Sequence, residues 1–140
     1  MLPIKCISPR RADRMRKGLA TVELAICLPL IVIIAFGSIE ATNMIFLEQR
    51  LTAAAYEGAR KATVPGKTSA DATAATNSIL SQFSISGSTV TITPTVTATT
   101  AVGTQVKVSV SAPISSNMGG ITPFFTTMTN LSASVTMIHQ

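Results

Sequence analysis

Hydrophobic and polar positions change their period twice along this chain of 140 residues. No charged residue falls between Glu23 and Glu40, a gap of 16 residues, and the stretch is almost wholly apolar. Counted from Leu19, it is 21 residues with one carboxylate inside, within the roughly 17–25 that a spanning helix needs. From Glu40 the pattern becomes amphipathic. Met44, Leu47, Leu51, Ala54, Ala55, Gly58 and Ala62 recur at three- and four-residue spacings, one stripe of a helix. Glu57 and Lys61 are placed to pair at i,i+4. Val64-Pro65-Gly66 then stops the helix, because proline disfavours helical geometry at the residue before it. The pattern thus predicts one helix from about Ala20 to Thr63, over roughly 60 Å at 1.5 Å per residue. That is about twice a hydrocarbon core, so its second half must leave the bilayer. Pro29 should kink or loosen the span.

A second, shorter helix is predicted over Thr68 to Phe83, with Thr68 or Ser69 as its cap and Asp71 in its first turn. After Gly87 the period drops to two. Thr89–Thr93 and Gln105–Val110 alternate strictly, and Leu131–Ile138 fits a last strand. Thr99–Gly103 would connect the first two as a hairpin, Ser115–Gly120 reads as a loop, and Pro123–Phe125 as an apolar packing segment. Three strands bury little alone, so the soluble half of the long helix is the natural lid for their apolar face. The expected fold class is α+β: a long N-terminal helix, membrane span plus amphipathic half, packed on a small antiparallel β-sheet, an architecture that the resemblance described below makes pilin-like.

Charge changes the picture at one end only. Up to Gly18, six basic residues face Asp13 alone, so the leader carries the whole net charge of +5. Beyond Gly18, five basic residues (Arg50, Arg60, Lys61, Lys67 and Lys107) balance five acidic ones. A nucleic-acid binder would carry its basic patch on the folded domain. A basic flank on a span instead holds the N-terminus in the cytoplasm and sends the C-terminus out.

Glu23 stands at the head of the apolar segment, where an ionisable residue is expensive and functional by default. It lies five residues past Gly18. Glycine and carboxylate at this spacing resemble a type IV prepilin processing site, which implies cleavage between Gly18 and Leu19. Two alternatives stay open. Ala35-Phe36-Gly37 offers small residues for a signal peptidase cut after Gly37, and the segment can also serve as an uncleaved anchor. The stretch Leu24-Ala25-Ile26-Cys27 is a poor lipobox, because Ile26 is bulky and the apolar run follows the cysteine. Met15 is a second possible start, and cleavage after Gly18 gives the same product from either.

Three segments together resemble the TadE-like minor pilins, or pseudopilins, of the tight-adherence (Tad, or Flp) pilus. They are Gly18-Leu19-Ala20-Thr21-Val22-Glu23 with its apolar continuation, Gln49 to Arg60, and the Thr/Val-rich hairpin with the final strand Ser132 to Met137. Leu24 departs from the tyrosine of the major pilin, and the chain is much longer than that subunit, which favours a minor component. The resemblance implies four segments: a basic leader (1–18) removed by a prepilin peptidase, a transmembrane and assembly half-helix (19–40), a soluble amphipathic half-helix (41–63), and an extracytoplasmic short helix plus sheet (64–140). It implies that Glu23 pairs with the new amine of Leu19 on an adjacent subunit. The implied partners are the prepilin peptidase, the major Flp-type pilin, a sister pseudopilin and the inner-membrane assembly platform. The implied location is the bacterial cytoplasmic membrane, then the pilus at the cell surface. The competing function is an adhesin or binding module, secreted after a cut at Gly37 or anchored in the membrane.

The small residues Ala54, Ala55, Gly58 and Ala59 permit close backbone approach, with this chain's own sheet as the expected neighbour and another subunit as the alternative. Catalytic chemistry fails on inventory. His139 is the one histidine and is penultimate, Cys27 lies in the span, Cys6 lies in the leader, and Asp71 is the one carboxylate after Glu57. No metal set, nucleophile–base pair or phosphate loop can be assembled from these. The expectation is a non-enzyme with no cofactor, no metal, no nucleic acid and no small-molecule substrate.

Overall fold

The structure, a computed structural model, describes residues 9–118 and 129–140, with side chains from Gly18 onward. The first helix, α1, runs Pro9–Ala62. It starts earlier than the apolar pattern alone suggested. Proline suits a first helical position, where its missing N–H costs nothing and its φ is already helical. Pro29 sits inside α1 without ending it. The helix stops at Ala62, just before Val64-Pro65-Gly66, and Gly66 takes a φ of +76° that other residues rarely adopt.

Two units divide the chain, one up to Ser38 and one from Ile39 to Gln140. In the first, the apolar side chains from Leu19 to Phe36 are exposed. Gly18–Ala62 contains a window of mean hydropathy 2.6 with none of it buried, long and apolar enough to cross a membrane.

The second unit holds the core. Its α2 spans Ser69–Gln82 and is capped by Thr68. The Thr68 hydroxyl accepts from the Asp71 N–H at 3.4 Å, and the Asp71 carboxylate accepts from the Thr68 N–H at 3.0 Å. This reciprocal box satisfies two otherwise orphaned donors. Ser69, the other candidate cap, turns elsewhere: its Oγ accepts from the Val96 N–H at 2.7 Å. Three strands follow, β1 (Thr89–Thr93), β2 (Gln105–Pro113) and β3 (Asn130–Ile138). They form one antiparallel sheet in the order β1-β2-β3. A single turn of helix, α3 (Ile114–Asn117), stands where the sequence pattern suggested only loop. Asn117 pins it, donating from Nδ2 to the Ser86 and Pro113 carbonyls at 2.8 Å each. Gly119, Gly120 and the apolar segment Pro123–Phe125 lie outside the described residues.

Register puts the apolar set of each strand on one face. Val90 pairs with Val110, Ile92 with Val108, and Val108 in turn with Val135. A slip of one residue would turn all of these outward. Against this face packs the amphipathic half of α1. Leu47, Leu51, Ala54, Ala55 and Ala59 cluster with Leu80 of α2 and with Val108, Val110 and Ala112 of β2. A smaller cluster joins Ala62, Ala72, Val96 and Val106. The fold is therefore α+β, with the long helix laid on a three-stranded antiparallel sheet. The connection from β1 to β2 is longer than a tight hairpin and drops Val96 into this smaller cluster. His139, the penultimate residue, is buried, and neither ring nitrogen has a hydrogen-bond partner among the described residues. Its backbone N–H donates to the Thr104 carbonyl at 2.8 Å, and that of Gln140 donates to Thr63 at 3.1 Å.

Candidate assembly site

The sequence-derived site residues separate into two groups. Gly18, Leu19, Glu23 and Pro29 all lie exposed on α1, within the first unit. A Cβ built on Gly18 would meet nothing within 4 Å. Among the described residues no packing contact therefore requires glycine there, although glycine inside a helix is less stable than alanine by about 1 kcal/mol. Gly37 is equally open. The Glu23 carboxylate makes no hydrogen bond or ion pair among the described residues. A lone carboxylate among exposed Leu, Ile and Val side chains has no internal reason to be there.

Ala54, Ala55, Gly58 and Ala59 behave differently. All four are buried in the second unit. A Cβ on Gly58 would overlap Thr76 Oγ1 and lie 3.4 Å from Val108 Cγ1 and 3.5 Å from the Ala72 carbonyl. Thr76 cannot easily turn aside, because it is buried and its hydroxyl donates to the Ala72 carbonyl at 2.9 Å. The small residues are thus consumed by α2 and β2 of the same chain.

Beside them, the Glu57 carboxylate accepts two hydrogen bonds from Arg60, at 2.8 Å from Nε and 2.6 Å from Nη2. This replaces the expected partner Lys61, which acts on Glu57 only through its charge. The fork geometry of arginine explains the preference. It holds the Glu57 carboxyl below its ordinary value, the Arg60 hydrogen bond being the largest cause.

Sequence reasoning missed one feature. A wide, open depression is lined by Glu48, Gln49, Thr52, Ala53, Tyr56 and Glu57 of α1 and by Ile79 and Phe83 at the end of α2. Tyr56 is 52% exposed and Phe83 39%. Phe46, Ala53 and Tyr56 follow helical spacing on the side of α1 opposite the buried stripe. Aromatic residues on a nominally polar face were the signal available in the sequence. The contribution of Phe83 depends on how α2 docks.

A family model described as TadE-like protein matches residues 18–60. Residues 18–60 are TadE-like. The match begins at the exposed glycine, takes in Glu23 and the apolar stretch, and ends on the Glu57–Arg60 pair. The TadE-like family is associated with the Tad pilus. An exposed apolar helix and a pilus-associated family together fit a membrane-anchored protein of a surface pilus. No curated protein and no solved structure matches the chain. Among the described residues no cluster of three histidine, cysteine, aspartate or glutamate side chains is placed to hold a metal ion.

Proposed function

We propose that this protein is a minor pilin, or pseudopilin, of a Tad-type pilus, a structural subunit without catalytic activity. The observation that carries the reading is Glu23: a carboxylate without an internal partner, five residues past an exposed glycine, inside the TadE-like segment. A prepilin peptidase cuts between Gly18 and Leu19. The peptide there lies within α1, so it must leave the helix to be cut, and glycine makes that local opening cheapest. Cleavage removes the basic leader and leaves a new ammonium on Leu19.

Glu23 then accepts that ammonium from a neighbouring subunit. In the bilayer a lone carboxylate is costly, though less so near the end of the span, where Glu23 stands, than at its centre. Pairing offsets this and fixes the register between helices, which is the better-attested use of a buried ion pair. The exposed Leu, Ile and Val side chains of the span bury against the major pilin, a sister pseudopilin and the assembly platform. The orientation is N-terminus in and C-terminus out, as the basic leader requires.

The test is the intact mass and N-terminal sequence of the protein recovered from its own cells. A chain beginning at Leu19 supports the reading. A chain beginning at Ser38 means secretion after Gly37, and an intact leader means a plain anchor. With processing established, Glu23→Ala should abolish or sharply reduce assembled pili by electron microscopy while leaving the cut at Leu19 unchanged. Normal piliation in that variant would remove the pairing.

A further inference from the structure

His139 is a buried titratable group that plays no part in the assembly site. It is 3% exposed, and neither Nδ1 nor Nε2 has a hydrogen-bond partner among the described residues. Its backbone, by contrast, is fully engaged. The His139 carbonyl accepts from the Gly103 N–H at 2.9 Å, and its own N–H donates to the Thr104 carbonyl at 2.8 Å. One residue on, the Gln140 N–H donates to the Thr63 carbonyl at 3.1 Å, just past the end of α1. These bonds tie the end of β3 to the β1–β2 connection and to α1. The two carbonyls that accept belong to residues close in sequence to Ala62 and Val106, both members of the smaller buried cluster.

A neutral imidazole without partners hides one donor and one acceptor. Protonation would turn that acceptor into a second donor and add a charge, where nothing is placed to accept from either nitrogen. The charged side chains on the elements that meet here do not answer it. Lys61 on α1, Lys67 in the turn after it and Lys107 on β2 are cations. On α1, Glu57 is closed on Arg60. On α2, the Asp71 carboxylate is closed on Thr68. The Gln140 carboxyl group makes no hydrogen bond to the ring. Opening to water is what lets the ring carry a proton without that penalty. We propose that His139 is an acid-release catch: buried and neutral, it holds the end of β3 to α1 and the β1–β2 connection, and uptake of a proton frees it. In the open state the imidazole binds a proton as histidine ordinarily does, at about pH 6.5. Each pH unit below that favours opening by about tenfold. The catch is complete at neutral pH and above, and is lost on acidification. It belongs to the folded second unit and does not rest on the pilus reading.

The test is amide hydrogen exchange read by NMR on the full-length chain in detergent micelles, with each rate divided by its intrinsic rate at that pH. From about pH 7.5 to about pH 5, protection at Gly103, His139 and Gln140 should fall about tenfold or more, while the centre of β2 keeps its own. His139→Leu keeps apolar bulk and removes both nitrogens, so its protection should stay constant over the same range. His139→Gln keeps polar atoms that do not titrate, and should behave likewise even where the leucine variant does not fold. Protection that ignores pH in the natural chain would overturn the catch. So would an equal fall in the glutamine variant, or an equal loss throughout the second unit. The range lies above that in which the Asp71 cap is lost, so opening at the start of α2 is a separate event.

Discussion

Leu30 and Leu51 are the same side chain on the same helix, yet Leu30 is 60% exposed and Leu51 is completely buried. The two glycines near them make the same contrast. Gly58 is required by its own fold, because any Cβ there collides with Thr76. Gly18 is required by no contact among the described residues. In the first unit the described apolar side chains are exposed and the chain's own burial does not account for them; the function proposed above accounts for them by a membrane, a peptidase and other helices. In the second unit the composition is explained by what the protein buries. Glycine thus stands in open space in one place and in close packing in the other, and burial tells the two apart.

The sharpest way to break this comparison is to put alanine at both glycines in turn. Gly58→Ala should destabilise the second unit by about 1–3 kcal/mol, the usual cost of overpacking. Adding Thr76→Ala should recover much of that loss, since it removes the colliding oxygen. Gly18→Ala should not lower stability and should favour the helix by up to about 1 kcal/mol. Denaturant unfolding of the full-length chain in detergent micelles measures all three. Equal effects at the two positions would sink the contrast.

A smaller effect comes from the cap of α2. Thr68→Ala should cost about 1 kcal/mol, as loss of an N-cap does. The pH dependence has a definite sign. Asp71 is held below its ordinary value of 3.8, first by the Thr68 N–H and then by the Thr68 hydroxyl. Its folded value lies under its unfolded one, so its contribution is complete above 3.8 and is lost as the pH falls through the lower, folded value. Amide exchange at the start of α2 should quicken over that acid range, and replacing Asp71 with asparagine should flatten the response. Exchange that is unchanged on acidification would discard the box as a stabilising device.

The smallest effect belongs to the Glu57–Arg60 pair. Both side chains reach solvent, and exposed pairs contribute little. Arg60→Ala should leave the unfolding midpoint where it is and return the Glu57 carboxyl toward its ordinary 4.5, visible by NMR titration. A large loss of stability would show the motif end to be structural after all.

Much of the fold was legible because each element carried its own period. The buried stripe Leu47-Leu51-Ala54-Ala55-Gly58-Ala62 was readable from three- and four-residue spacing. The alternation of Thr89–Thr93 gave β1 its two faces before any partner strand was known. Thr68 and Asp71 were legible as a helix start because capping is local. What failed was decided by competition between neighbours. Lys61 had the right spacing for Glu57, but Arg60 reached it with a fork that lysine lacks. Ser69 had the right chemistry for a cap, but Val96 claimed its hydroxyl from 27 residues away. For α3, the deciding contact is that of Asn117 with Ser86, 31 residues away, which no window of local sequence contains.

By itself the sequence determined the apolar stretch, its basic N-terminal flank, the carboxylate at its head and the type and order of the main elements. Each of these depends on side-chain type and short-range spacing, which the chain carries in full. Only the tertiary structure decided that Gly58 touches Thr76, that His139 is buried, and that Tyr56 and Phe83 line one open depression. Those facts depend on the docking of α2 and the sheet against α1, which is set by the summed burial of many side chains, and no single stretch of sequence encodes that sum.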